Sequence, residues 1–348
     1  GGSKALMEDL GGMTRIAFLI HNPEAPSCRY RVLQFIPYLK RMGMDISTHL
    51  FKHKFLDKWS FYNTVGEYDI IFIQRKLFSP IEFLYIRQKA KKIIYDFDDA
   101  IMYRSSGSGN PHSFSRRLRF AYMMKRADFV VAGNQFLSSE VLRYNPHVEV
   151  IPTSIDLSRY NLKEDFHGDG PITIGWLGSS STLKYLKELA PVFEDLFKVF
   201  PNTRLKIVCD DFFDLPSMPV IKKRWSLEEE VADLKSFDVG VMPLTHDLWS
   251  QGKCGLKILQ YYSVGLPVVC SPVGVNKDIV KDRENGFWAQ NKDEWKYGLG
   301  ELIQDEALRS TLGGRGRATV ERSYSLDVNS PRLLEFLKEV LGKGERRN

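Results

Sequence analysis

No run of about eighteen apolar residues occurs in this chain of 348 residues. The longest apolar runs are short ones such as Ile70–Ile73, so no stretch is suited to crossing a bilayer as a helix. Cysteine is sparse: Cys28, Cys209, Cys254 and Cys270 show neither C-x-x-C spacing nor histidines at metal-ligand spacing. That pattern argues against a disulfide framework or a zinc site and fits a reducing cytoplasm. Low-complexity tracts and short-period repeats are missing, so any similarity between the two halves is architectural rather than sequence-level. The opening GGSKALMEDLGG lacks the basic and apolar regions of a signal peptide and reads as an addition over residues 1–12, ahead of a native start at Met13. A strong charge excess is also lacking, the net charge being +6.

That charge is unevenly spread. Through residue 158 there are 22 Lys and Arg against 15 Asp and Glu, and from 159 onward 27 against 28. The basic half is either an ordinary solvated surface or a patch for an anionic partner. Its densest cluster, Arg116, Arg117, Arg119, Lys125 and Arg126, interleaves with Leu118, Phe120, Ala121, Tyr122 and Met123. The spacing suits an amphipathic helix, a core helix with a charged face or one resting on anionic lipid.

Short β-rich runs alternate with helical patterns, the signature of parallel-sheet α/β units. Strands are expected at Arg15–Ile20, Asp45–Leu50, Ile70–Gln74, Lys92–Asp96, Phe129–Ala132 and Val148–Ile151. A helix is expected over Arg29–Arg41, where Val32, Phe35, Ile36 and Leu39 recur at helical spacing. After a polar stretch with Gly168, Gly170 and Pro171 as breakers, the pattern restarts. Strands follow at Ile172–Leu177, Arg204–Val208, Val220–Lys222, Val239–Met242, Val268–Cys270 and Phe287–Ala289, with helices at Tyr185–Phe200, Leu227–Ser236, Gly255–Val264, Lys292–Gln304 and Leu308–Ser323. The chain therefore divides into a domain over 13–158, a linker over 159–171, a second domain over 172–330, and a C-terminal helix and tail over 331–348. Two doubly wound parallel sheets in tandem, their strand C-termini facing across a cleft, are the expected fold.

The segment Gly252–Val269 (GKCGLKILQYYSVGLPVV) carries the sharpest chemical signal. A turn runs into a helix whose free N–H groups and partial positive charge suit a phosphate. Lys253, Lys257 and Gln260 are spaced to reach one place, while Leu256 and Leu259 can pack on the sheet. The same residues also fit an amphipathic helix with solvated lysines. Gly178-Ser179-Ser180-Ser181 directly after a strand is a polar turn or a phosphate loop. Trp225, next to Arg224, is by itself most simply a core residue. Asp96, Asp98 and Asp99 end a strand, where they fit a general base, a metal-binding D-x-D or a helix cap. Arg29, Arg31, Arg75 and Lys76 follow strands as candidates for holding an anionic group.

GKCGLKILQYYSVGLPVV, followed by SPVGVNKDIV and ENGF, resembles the donor-site segment of glycosyltransferase family 4, typically E-G-F-G-x-x-x-L-E-A-M-A-x-G-x-P-V-V. IPTSIDLSRY (151–160) and ITIGWLGSSSTLK (172–184) resemble two further stretches in the family's order, so that the resemblance spans roughly residues 14–330. It implies a GT-B fold of two Rossmann-like domains, with an acceptor-side N-terminal domain and a nucleotide-sugar donor domain after it. It also implies a retaining transferase acting on a nucleotide diphosphate sugar without a permanently bound cofactor or a metal. A carbohydrate or lipid-linked acceptor, and a role in bacterial surface polysaccharide or glycoconjugate synthesis, are expected partners and context. Nucleic acid is not. A cytoplasmic protein, peripheral on the inner face of the membrane through its basic half, fits the same picture.

Carried over residue by residue, the resemblance assigns Gly178, Ser179, Lys184, Arg224, Trp225, Gly255, Leu256 and Gln260 to the donor. Asp98, Lys253 and Lys257 are the expected catalytic groups, and Arg29, Arg31, Arg75 and Asp99 lie on the acceptor side. The departures are specific. The family's acidic pair, eight positions apart, is Gly252 and Gln260 here; its Arg after the glycine loop is Ser179; and Asp98 stands at its histidine. A catalytically silent sugar-nucleotide-binding protein and a GT-B-fold sugar-nucleotide epimerase are the alternatives.

Overall fold

Ile70–Ile73 and Ile93–Tyr95 are apolar at every position, the pattern of parallel strands covered on both faces. In the computed structural model, which describes residues 14–51, 55–164, 166 and 170–342, both runs lie in the middle of a six-stranded parallel sheet. The leader 1–12 with Met13, linker residues 165 and 167–169, and tail residues 343–348 lie outside the described residues. Contacts divide the chain into a first unit, Gly1–Ser154 with Gln251–Cys254 and Leu326–Asn348, and a second, Ile155–Ser250 with Gly255–Ser325.

The first unit holds β1 (Arg15–Ile20), β2 (Asp45–Leu50), β3 (Ile70–Gln74), β4 (Ile93–Phe97), β5 (Phe129–Ala132) and β6 (Val148–Val150) in the order β2-β1-β3-β4-β5-β6. Its helices are α1 (Pro26–Arg31), α2 (Ile36–Arg41), α3 (Phe55–Thr64), α4 (Pro80–Lys89), α5 (Phe114–Arg126) and α6 (Gln135–Leu142). The second unit holds β7 (Ile172–Leu177), β8 (Thr203–Cys209), β9 (Val220–Arg224), β10 (Val239–Met242), β11 (Val268–Cys270) and β12 (Phe287–Trp288), ordered β12-β11-β10-β7-β8-β9. Around them lie α7 (Ser180–Lys187), α8 (Ala190–Val199), α9 (Glu230–Lys235), α10 (Leu248–Gln251), α11 (Leu256–Ser263), α12 (Asn276–Ile279), α13 (Lys292–Gln304) and α14 (Glu306–Ser323). This second order is that of a dinucleotide-binding sheet, with its reversal between β7 and β10. In the first sheet the reversal falls between β1 and β3.

The last helix, α15 (Leu326–Gly342), belongs to the first unit. Leu333, Leu337 and Val340 complete its core beside Ile16, Phe18 and Phe35, and Phe336 meets Phe129 edge-on with ring centroids 5.8 Å apart. The second core gathers Ile174, Trp176, Phe193, Leu205, Val241 and Leu299.

The strand expectations hold to within a residue or two at their ends. Two long helices do not. Arg29–Arg41 is broken into α1, a 3-10 turn at Leu33–Phe35 and α2. Pro37 is the reason: it donates no hydrogen bond and would clash one turn back, so the helix restarts with it in the first turn. Pro191 divides Tyr185–Phe200 in the same way, into α7 and α8. The helix at Leu227–Ser236 shortens to Glu230–Lys235. The first part of the expected linker is built into the second unit. There Tyr160 Oη donates to Glu230 Oε1 at 2.9 Å and Lys163 Nζ to Asp238 Oδ1 at 2.8 Å.

Candidate active site

Open parallel sheets bind ligands beyond the carboxyl ends of their strands, where the strand order reverses. In the first unit that point is marked by His21 after β1, Gln74 at the end of β3 and Arg75 after it, and Asp96 to Asp99 at the end of β4. His21 Nδ1 lies 3.0 Å from Gln74 Oε1, and Cys28 Sγ is 3.3 Å from both.

Arg75 adopts the left-handed conformation, with φ 63°, which a non-glycine residue takes only when its surroundings hold it there. Its amide donates to Asp96 O at 2.7 Å. Its guanidinium pairs with Asp99 through Nη2, while Nη1 stands 3.9 Å from Asp98 Oδ1. Lys253 Nζ donates to the other Asp99 oxygen at 2.8 Å. Burial pushes the Asp98 carboxyl above its ordinary range; Arg75 pulls it back and Asp99 pushes it further up. Among the described residues no group of three His, Cys, Asp or Glu side chains is arranged to hold a metal ion. The carboxylate of Asp99 faces two cations instead.

Arg31, expected on the acceptor side, lies inside the unit. Its guanidinium pairs with Asp96, both side chains being almost fully buried, and reaches the carbonyl of Ile151. Burial drives Asp96 up to about 6 against the opposing pull of Arg31. Arg29 sits beside Tyr30, 5.3 Å from the ring centre, and Lys76 lies over Phe51 and Phe78.

The segment 251–254 is carried by this unit because its backbone is locked there. Asn134, which caps α6 by accepting from the Leu137 amide, donates to Lys253 O at 3.0 Å and Gln251 O at 3.3 Å. Cys254 Sγ donates to Asp98 O at 3.2 Å. A side chain at Gly252 would place its Cβ 2.6 Å from the amide nitrogen of Ala100, and one at Gly133 would sit 2.5 Å from Cys254 Sγ. The backbone approach thus leaves no room for a carboxylate at position 252.

In the second unit, β7 and β10 pair only over Val239–Gly240 and then part. Tyr261 from α11 fills the opening, its hydroxyl accepting from Leu177 N at 3.1 Å and donating to Val241 O at 3.3 Å. Just beyond lies Gly178, whose added Cβ would run into the Trp176 ring and come 2.8 Å from Lys257 Cε. Lys257 Nζ stands 5.5 Å from the centre of the Trp176 ring. Lys257 and the Gly178 loop are therefore brought together, whereas Lys253, though only four residues earlier, belongs to the first unit.

Ser179 precedes α7 without a side-chain cap bond, and Ser180 ties the loop down by donating its amide (2.8 Å) and hydroxyl (3.0 Å) to Asp210. The Ser180 amide holds Asp210 below the usual carboxylate range. Lys184 lies beside Tyr185, 5.1 Å from its ring. Gly255 takes φ 69° and an added Cβ would strike Ile279, so conformation and space both call for glycine there, and Leu256 begins α11. Gln260 is 2 % exposed. It lies in the buried half of α11 rather than on a solvated face.

Arg224 ends β9, and Trp225 is 37 % exposed with its Nε1 donating to Glu230 Oε2 at 2.9 Å. Glu230, itself buried, is held by Tyr160 from its other oxygen. Sequence reading missed Glu230, Asn134, Asp210 and Trp176. Only Asn134 carries a signal, an Asn opening a helix directly after a strand.

Residues 173–305 match the family model "Glycosyl transferases group 1". The capsular polysaccharide biosynthesis glycosyltransferase CapM of Staphylococcus aureus is 25% identical over 205 residues, 54% of this chain and 53% of that protein. The chain spans about half or less of the curated relatives it matches, 53% of one and 28% of another. Among solved structures, sucrose-phosphate synthase from Thermosynechococcus elongatus matches with a TM-score of 0.76 at 14% identity, over 94% of this chain and 99% of that one. HepE of Anabaena, in complex with UDP and glucose, matches with a TM-score of 0.69 at 14% identity, over 93% and 99%. The fold is that of the GT-B enzymes, two Rossmann-like domains, as expected.

Proposed function

We propose that this chain, of GT-B fold and matched over residues 173–305 to the group 1 glycosyltransferases, is itself a glycosyltransferase whose donor is a nucleoside diphosphate sugar held by the second unit. The observation that carries this is the meeting of Lys257, the Gly178 loop and the start of α11 at the reversal of the second sheet, within the segment matched to the family. An ammonium group, loop amides and the positive end of an eight-residue helix suit a diphosphate. They stabilise the charge that grows on the leaving phosphate as the glycosidic bond breaks. Lys184 adds a second cation to that loop's helix. Trp225, its indole fixed by Glu230, supplies a flat face for the base, with Arg224 beside it. Gln260 serves the ribose. A uridine donor is the first to test, since HepE was solved with UDP and glucose.

The first unit takes the acceptor. Asp98 orients or receives the proton of the attacking hydroxyl, and Arg75, Asp99 and Lys253 hold that edge in place. Arg29 serves an anionic acceptor group. A saccharide or lipid-linked acceptor in surface polysaccharide synthesis, metal-independent transfer and retention of anomeric configuration complete the proposal; the likeness to CapM supports the polysaccharide setting. Gly252 in place of the family's carboxylate favours a second reading, a protein that binds the sugar nucleotide without transferring it.

Incubation with UDP-, GDP-, ADP- and dTDP-sugars and a saccharide acceptor panel, with product anomers read by NMR, tests both. Acceptor-dependent release of nucleotide with a retained anomer is expected. Binding without release supports the second reading, and an inverted product contradicts retention.

A further inference from the structure

We infer that α5 is a docking face for an anionic lipid surface. The helix turns Phe120, Met123 and Met124 into the core of the first unit. Its opposite arc carries Phe114 and Leu118, one turn apart, 84 % and 52 % exposed. Arg117 flanks them on one side and Arg119 and Arg126 on the other, with Lys125 two turns beyond Leu118 on the same line.

From Ser113 to Ala127 there is no carboxylate. Four of these cations meet a carbonyl, an imidazole or an aromatic ring: Arg116 donates to Tyr103 O at 2.8 Å, Arg117 lies 3.5 Å from His112, Lys125 lies over Tyr144 and Arg126 over Tyr122. The face therefore complements negative charge. Charge alone fits nucleic acid equally well, but a phosphate backbone leaves Phe114 and Leu118 in water. A bilayer interface takes the apolar pair at the acyl boundary and the cations among headgroups at the same time. No described helix is long and apolar enough to cross the membrane, so the contact is one of a helix lying along the surface. It needs no sugar nucleotide and stands apart from the transfer reaction.

The test is flotation of the full chain with phosphatidylcholine vesicles and with vesicles containing phosphatidylglycerol, without any donor or acceptor present. The protein is expected to float with the anionic vesicles only and to be released by salt. R119E/R126E is expected to weaken binding by about tenfold or more. F114S/L118S is expected to weaken it by about tenfold, with melting temperatures unchanged in both. Absence of binding to anionic vesicles, equal binding to neutral ones, or wild-type binding by F114S/L118S would overturn the inference. Retention of a labelled oligonucleotide that depends on Arg119 and Arg126 but not on Phe114 and Leu118, without vesicle binding, would reassign the face to nucleic acid.

Discussion

Lys253 and Asp99, 154 positions apart in sequence, are joined by a 2.8 Å charge-assisted hydrogen bond within the first unit. The partner of Asp99 on its other oxygen is Arg75, so one carboxylate carries two cations. The glycine-lysine-cysteine turn ahead of α11 is thereby tied to the end of β4. Lys257, at the second position of that helix, stays with the Gly178 loop. A segment that reads as one phosphate grip in sequence is divided between two jobs.

The pair is measurable by a double-mutant cycle. Lys253→Met, Asp99→Asn and the double variant are expected to show a coupling of about 1 kcal/mol or more in chemical denaturation, since both side chains are mostly removed from solvent. Additive losses would mean the bond contributes nothing to stability.

Gly252 is expected to tolerate no side chain. Gly252→Ala pushes a methyl group against the Ala100 backbone and should cost about 1–3 kcal/mol, seen as a lowered melting temperature. Gly252→Glu, which restores the family's acidic residue, should cost at least as much and fail to raise activity.

Arg31→Met leaves Asp96 buried without its cation. A loss of about 3–5 kcal/mol is expected in urea denaturation at neutral pH. The folded protein holds the Asp96 proton up to about 6, whereas an unfolded carboxyl releases it near 3.9. Between those values the native state binds more protons, so this group's contribution is present at low pH and lost as pH rises through about 6. Without Arg31 the folded carboxyl rises further, and the variant's deficit should shrink on acidification across that window.

In the proposed transfer, Asp98 sets the acid limb. Its carboxyl is raised above the ordinary range by burial, so kcat/KM should fall as pH drops through a value higher than that of a solvated aspartate. Asp98→Asn should lower the rate and remove that limb. A limb that persists in the variant belongs to another group.

Much of the fold was legible because buried parallel strands announce themselves: β1, β3, β5, β7, β10 and β11 match their expected runs end to end, and the more polar edge strand β2 does so as well. The helix breaks at Pro37 and Pro191 were present in the sequence, but apolar periodicity ran through them and masked the missing donors. At the site, the local grouping of Gly178 with Lys257 followed from motif order. The destination of Lys253 did not, since its partner comes from a strand 154 residues away. Gln260 has the spacing of a surface residue yet is buried, because the second half of α11 is covered on all sides. The fixing of Trp225 by Glu230 depends on how a loop turns, which no periodicity encodes.

The central claim is that the second unit grips a nucleoside diphosphate sugar through Lys257 and the Gly178 loop. Isothermal titration of the full chain with UDP, GDP, ADP and dTDP, in wild type and Lys257→Ala, tests it most directly. The account predicts saturable binding of one of these nucleotides, weakened about tenfold or more in the variant while its melting temperature without ligand is unchanged. Unaltered affinity in Lys257→Ala, or no binding of any of the four by the wild type, would contradict it.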